Sequence, residues 1–340
     1  MTESQLDIEQ PGVLLAYLRD TGRVGPDDRV EVRPLAGGVS NRTMLVCWPD
    51  GRGWVVKQAL DRLRVPTEWL SDPRRIHREA AGLRWLARLA PAGTITPFVF
   101  EDFEHHLLAM DEVPQPHENF KTLLLAGHVE SDHVDQFARL LATIHRGASE
   151  RPNQLSAEFG DRSFFESLRI EPYYEYAGRQ VAAAGPFMRQ LIEDCRSRRF
   201  TLVHGDYSPK NILIHAGRLV LLDHEVIHFG DGAFDIGFAM THLLSKAHHL
   251  PAHRERFATA ARRFWETYQA GVADLEWLDD FEPRAVRHTL GCLLARVAGR
   301  SPLEYMEPQE REHQRETVTA VMQMPPTAIA DLIDAFVARL

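Results

Sequence analysis

Three side chains in the stretch 202–237, LVHGDYSPKNILIHAGRLVLLDHEVIHFGDGAFDIG, have the types and spacing for phosphoryl transfer from a nucleotide. They are Asp206, Asn211 and Asp223. This chemistry asks little covalent work of a protein; the catalyst positions the reactants and neutralises charge on the transferred group. Asp206 suits acceptance of the proton of an attacking hydroxyl. Asn211 and Asp223 offer hard oxygen donors for Mg²⁺, which binds few protein ligands and keeps several waters. His204 reads as a packing and hydrogen-bonding support for the loop. A polar surface loop is the alternative, and the length and constraint of the pattern argue against it.

Those oxygens need a frame. Two short apolar runs, 211–214 and 219–222, flank Ala216-Gly217-Arg218. The pattern predicts a β-hairpin, with Gly217 supplying the positive φ of a tight turn. Asp206 and Asn211 then precede the first strand and Asp223 follows the second, so the three converge at one end of the ribbon.

The first third of the chain reads as a nucleotide lobe. A short amphipathic helix is expected over 12–22, then strands over 30–35, 43–48 and 53–57. Between the first two strands, Gly37 and Gly38 would let backbone N–H groups approach phosphate oxygens, with Ser40 or Asn41 adding a donor. A Gly-Gly pair between strands also serves as an ordinary hairpin turn. Lys57 closes an apolar strand, where an ammonium calls for an anion. It would meet the nucleotide phosphates and a carboxylate on the helix expected over 73–89. Glu79 lies beside that helix's inner face of Ile76, Ala80, Leu83 and Leu86 or Ala87, and is the partner chosen. Its alternative is a solvated pairing with Arg75 or Arg78. A strand over 107–113 running into Pro114-Gln115-Pro116 suits a hinge. Backbone groups of Asp111, Glu112 and Val113 would meet an adenine edge there, with Met110 lining the pocket.

Beyond residue 120 the periodicity is helical. The stretch 134–145 has one buried face, and 234–250 is apolar on nearly every side, a central buried helix. The aromatic stretch 164–176 is either an acceptor wall or helix packing. His248 and His249 read as surface or cap residues because no ligand spacing surrounds them. Residues 306–315 are highly charged, and 317–340 closes as one or two helices broken by Pro325-Pro326.

The 340 residues carry 39 basic and 48 acidic side chains, a net charge of −9. That balance gives no support to nucleic-acid or anionic-membrane binding. Cys47, Cys195 and Cys292 lack CxxC spacing, which argues for a reducing compartment and against a zinc site. MTESQLDIEQ has no apolar core, so a cytoplasmic protein without a signal peptide is expected.

HGDYSPKN, followed by LLDHE and GDGAFDIG, resembles the aminoglycoside phosphotransferase and choline kinase superfamily. The resemblance implies an α+β, bilobal, protein-kinase-like fold. Its parts would be a small β-rich N-lobe with one key helix (1–113) and a larger, mainly helical C-lobe (114–340). It further implies Asp206 as catalytic base, Asn211 and Asp223 as Mg²⁺ ligands, and Asp235 as buried support for the catalytic loop. GGVSN and VVKQALDRLRVPTEWLSDPRRIHREA resemble the small lobe of 5-methylthioribose kinases, a branch of that superfamily. Its DxE metal motif is matched by Asp223-His224-Glu225, which implies Glu225 near the metal. The catalytic loop is of the aminoglycoside-kinase type instead. The segment 295–299 keeps Arg296 but has Ala295 where that branch pairs two arginines.

The expectation is an ATP- and Mg²⁺-dependent kinase acting on a hydroxyl of a sugar-like metabolite or an antibiotic. Arg296 would suit an anionic or neutral acceptor. Glu225 and Asp231, with Glu166, Glu171 and Glu175, would suit a cationic one. A catalytically idle nucleotide-binding module is the alternative, opposed by the presence of all of Lys57, Asp206, Asn211 and Asp223. A protein kinase is disfavoured because Asp223 leads through GDGAFD straight into a buried helix, leaving no activation loop.

Overall fold

The computed structural model describes residues 6–35, 38–64 and 69–340. Gly37 lies outside them. The chain opens with α1 (Pro11–Asp20), β1 (Glu31–Pro34), β2 (Asn41–Cys47), β3 (Gly53–Ala59), α2 (Arg75–Leu89), β4 (Phe98–Asp102) and β5 (Leu107–Asp111). The five strands form one antiparallel sheet in the order β1-β2-β3-β5-β4. Period-two alternation decides what each face meets. Met44, Val46, Val56, Leu107 and Ala109 pack with Leu14 and Leu18 of α1. α2 buries Ile76, Ala80, Leu83 and Leu86, and these join the main core that continues into the later helices.

The remainder is mostly helical. β6 (His117–Asn119), α3 (Phe120–Leu125), α4 (Ser131–Ser149), α5 (Pro152–Phe159) and α6 (Ser163–Phe165) lead into a π-helix, Glu166–Glu175. After α7 (Tyr176–Gln180) and α8 (Gly185–Ser197) come β7 (Thr201–Val203), β8 (Ile212–His215), β9 (Arg218–Leu221) and β10 (His228–Gly230). The chain finishes with α9 (Ala233–His249), α10 (Arg254–Val272), α11 (Phe281–Ala298), α12 (Pro308–Met322) and α13 (Ile329–Val337).

The expected hairpin is β8–β9, paired from Ile212↔Leu221 to His215↔Arg218, with β6 alongside as a third strand. Its two-residue turn has φ of 48° at Ala216 and 73° at Gly217, the primed geometry that matches the twist of the strands. α9 is buried from Ala233 to His248, as expected of a stretch apolar on nearly every side.

One expectation changes. His248 is buried rather than on the surface, packed edge-on against His313. The charged stretch 306–315 is largely helical, because Glu307 and Glu310 form a reciprocal capping box and Pro308 fits the first turn. Among the described residues no helix is long and apolar enough to cross a membrane.

Candidate active site

The turn after β7 is held from below by one buried carboxylate. Asp235, in the first turn of α9, accepts hydrogen bonds from His204 N (2.7 Å) and Gly205 N (2.8 Å), and lies 3.3 Å from His145 Nε2. Gly205 has φ +77°, and a Cβ there would come within 2.9 Å of Val226 Cγ2 and 3.1 Å of its carbonyl oxygen. Only glycine meets both conditions without strain. His204 is buried, which pushes its imidazole below the ordinary value. Asp206 N donates to His204 Nδ1 at 3.2 Å, so Nε2 carries the proton and donates to His224 Nδ1 at 3.1 Å. A neutral histidine pair thus ties the turn carrying Asp206 to the one carrying Asp223. Asp235 holds the backbone of the turn carrying Asp206, and His204 links Asp206 N to His224.

Asp206 Oδ2 receives two cationic or polar donors: Asn211 Nδ2 at 2.8 Å and Arg169 Nη2 at 3.1 Å. Burial would raise its carboxyl, but Arg169, Lys210 and the Asn211 amide outweigh that and hold it below the usual carboxylate range. Oδ1 is left without a protein partner among the described residues.

Next to this turn a cleft of ≈ 650 Å³ opens between the sheet and α3, within the size range of small-molecule sites. Its wall includes Gly38, Ser40, Asn41, Lys57, Met110, Glu112, Val113, Asn211 and Asp223. Lys57 Nζ sits 2.6 Å from Glu79 Oε1, whose side chain is wholly buried. Burial opposes the ammonium's charge, but Glu79, Asp223 and Glu225 outweigh it and raise its pKa above the ordinary value. Asp223 has φ +65° and a buried Oδ1 with no hydrogen-bond partner. An orphaned carboxylate oxygen facing the same cleft as Asn211 fits a divalent cation, and Asn211, with Nδ2 engaged, has its amide oxygen to offer. No group of three or more His, Cys, Asp or Glu among the described residues is placed to hold a metal, so a protein-only cage is absent there.

The model of the phosphotransferase enzyme family (APH) matches residues 31–279. The chain belongs to that family. The methylthioribose kinase of Pectobacterium atrosepticum is 27% identical over 308 residues, covering 76% of each chain. In fold the chain resembles an amicoumacin kinase solved with AMP-PNP and Ca²⁺ (TM-score 0.59, 12% identity, 94% of this chain and 97% of that one). A choline kinase from Cryptosporidium parvum is similar at TM-score 0.59 and 12% identity, over 96% and 100% of the chains. The fold is therefore the α+β, protein-kinase-like one, and the protein is a small-molecule kinase with an alcohol group as acceptor.

Two of the expected site residues of this phosphotransferase are held in ion pairs off the cleft wall. Glu225 is bound to Arg75, whose Nε lies 3.1 Å from Glu225 Oε2, and it is absent from the cleft wall. Arg75, fully buried, also donates to the backbone carbonyls of Ser40, Ser71 (3.2 Å) and Asp72 (3.1 Å). Glu225 thus fastens the Ser40 loop to the turn after β9 through Oε2. Asp231 is buried, paired with Arg284 Nε at 2.9 Å, and accepts from Ala233 N at 3.1 Å at the start of α9. Both contacts fasten the start of α9 to α11. Arg296 donates from Nη1 to Tyr173 Oη (3.0 Å) and Ser301 O (2.6 Å), away from the nucleotide cleft. The carboxylates of Glu166 and Glu175 pair with Arg196, and Glu171 pairs with Arg300, so they lend no free charge to a cationic acceptor.

Arg169 and Arg75 escaped the sequence reading. Each is one arginine among many in a helical stretch, with no motif to mark it. The one available signal for Arg169 is Pro172 three residues on, which cannot sit in a regular helix interior without loss of a hydrogen bond. The chain answers with a π-helix, a wide turn often found at functional sites. It projects Arg169 to Gly205 O (2.7 Å) and Asp206, while Phe165 and Tyr174 from the same stretch pack as core. Gly82 was missed too. A Cβ there would meet His224 Cβ at 2.8 Å, so its absence lets α2 lie directly on the Asp223-His224-Glu225 turn.

Proposed function

We propose that this small-molecule kinase transfers the γ-phosphate of ATP, with Mg²⁺, to a hydroxyl of a sugar-like metabolite or related natural product. The observation that carries the reading is the convergence of Lys57, Asn211 and Asp223 on one cleft, with Asp206 bonded to Asn211 at its inner edge.

Each residue has work in that reaction. Asp206, kept ionised by Arg169, orients the acceptor hydroxyl through Oδ1 and takes its proton as the oxygen bonds to phosphorus and ADP leaves. Lys57, held by Glu79, contacts the phosphates. Asn211 and Asp223 would hold Mg²⁺, which would supply neutralisation of the charge on the phosphate oxygens. At the hinge, Asp111 N and Glu112 N already donate to Pro97 O (2.9 Å) and Gly53 O (2.8 Å). Val113 N and the Glu112 carbonyl have no partner among the described residues, so they are the groups available to an adenine edge. Gly38 and Ser40 lie where the loop before β2 meets the phosphates.

The test is ATP consumption against a panel of hydroxylated acceptors, beginning with methylthioribose, the substrate that the curated relatives' name indicates. Transfer that depends on Asp206 supports the reading. An Asp206→Ala variant that turns over acceptor like the wild type refutes it.

A further inference from the structure

Around Arg296 and Lys246, polar groups gather that the transfer chemistry above does not use. Lys246 of α9 is wholly buried. Its ammonium donates to the His242 carbonyl one turn back (3.2 Å) and lies 5.2 Å from the centre of the Tyr305 ring. No carboxylate bonds it among the described residues. The Tyr305 hydroxyl and Arg296 Nε are likewise buried without a partner. Lys121 and Lys210, which line the cleft, act electrostatically on buried His242 together with Lys246 and Arg296. The acid that opposes them at Lys246 is Glu304, and it is already paired with Lys121.

Burial of two donors without an acceptor, beside an ammonium met only by a carbonyl and a ring face, is unfavourable unless something completes them. An apolar residue at 246 would spare the cost, since α9 is buried from Ala233 to His248. The cluster is also within reach of the reacting end of the site. Arg296 bonds Tyr173, Arg169 lies over the Tyr173 ring (5.5 Å), and Arg169 pairs with Asp206. Two side chains therefore separate Arg296 from the carboxylate proposed to take the hydroxyl proton.

We propose that the acceptor carries an anionic group, carboxylate or phosphate, which accepts from Lys246, Arg296 and the Tyr305 hydroxyl while its reacting hydroxyl meets Asp206. The inference rests on the kinase reading of the site and names its substrate class. An oxyanion offers several acceptor lone pairs to these donors, and its charge favours the protonated form of Lys246, which burial and the neighbouring Lys121 and Arg296 oppose. Neutral or cationic acceptors leave those donors unmet.

The test uses ribose, ribonate and ribose 5-phosphate, which share ring or chain hydroxyls and differ in the anion. Phosphate transfer from ATP and thermal stabilisation are both measured at fixed ionic strength, on the full chain, for wild type, Lys246→Met and Tyr305→Phe. Methionine matches the length of lysine, and an apolar replacement for an unpaired buried cation does not endanger folding. Phenylalanine keeps the Tyr305 ring as a second safeguard. The expected result is that ribonate or ribose 5-phosphate raises Tm and has a kcat/KM at least tenfold above ribose, through KM. Whichever of the two responds identifies the anion. Lys246→Met should abolish that preference and Tyr305→Phe should weaken it. Stabilisation by an anion that vanishes in Lys246→Met, without transfer to any acceptor, would uphold the anion seat and count against the kinase reading. Transfer with ribose as good as its anionic counterparts, an anion preference unchanged in Lys246→Met, or neither transfer nor stabilisation would overturn the inference.

Discussion

Arg169 Nη2 lies 3.1 Å from Asp206 Oδ2, and the same guanidinium donates from Nε to the Gly205 carbonyl at 2.7 Å. One side chain from a π-helix thus fixes both the backbone and the carboxylate of the turn at the centre of the site. Arg169→Leu should lower kcat by about tenfold or more while the KM for ATP changes little, because Arg169 acts through Asp206 and not on the nucleotide. Arg169→Lys should recover part of the loss, since it restores the charge without the two-pronged geometry. Steady-state kinetics with each substrate varied in turn would check both outcomes.

Asp206→Asn keeps the shape of the side chain and removes its basicity. Turnover should fall by about 10²–10⁴-fold, the usual contribution of a general base. Nucleotide-induced thermal stabilisation should remain, because Asp206 is absent from the cleft wall.

Asp223→Asn should raise the Mg²⁺ concentration needed for half-maximal activity by at least about tenfold, a loss that even outer-shell partners of a metal can cause. Chelation of divalent cations with EDTA should stop transfer in the wild type and Mg²⁺ should restore it. A magnesium titration of the ATP-dependent rate reads both.

Arg75 joins Ser40, Ser71 and Asp72 to Glu225 and is fully buried. Removal of one partner of such a pair strands the other charge, at a cost of about 3–5 kcal/mol. Arg75→Met should therefore lower stability in urea unfolding by that order. Arg75→Met combined with Glu225→Gln should regain part of it, since the stranded charge is gone.

Burial, reinforced by Lys121 and Arg296 and opposed by Glu304, pushes the Lys246 ammonium down to about 7. The unfolded chain then binds more protons at this residue than the native one between about pH 7 and the ordinary lysine value. Stability should accordingly rise with pH across that window. Lys246→Met should remove this component, so the Tm difference between the two proteins should shift in the wild type's favour as pH increases from 7 to 10. A difference that stays constant would show that Lys246 does not titrate there.

Much of the site could be read from the order of residues alone. Asp206, Asn211, Asp223 and Asp235 fall within thirty positions, and the hairpin between them is a local structure whose turn residues announce it. Their geometry follows from short-range rules, as does the alternation that sets Lys57 in the sheet. The fates of Glu225, Asp231 and Arg296 could not be read this way. Each carries a charge, and a buried charge takes whatever partner the packing brings. For Glu225 that partner is Arg75, 150 positions away, for Asp231 it is Arg284, and for Arg296 it is Tyr173 and Ser301. Arg169 and Lys246 sit in helical stretches that periodicity describes well, yet periodicity reports which face is covered and not what covers it. The linear sequence thus determined the clustering of Asp206, Asn211 and Asp223 and the family's fold, through contacts between near neighbours in the chain. Only the tertiary structure decided which cations serve that set and which donors lie buried without an acceptor, because those pairings depend on how distant helices pack.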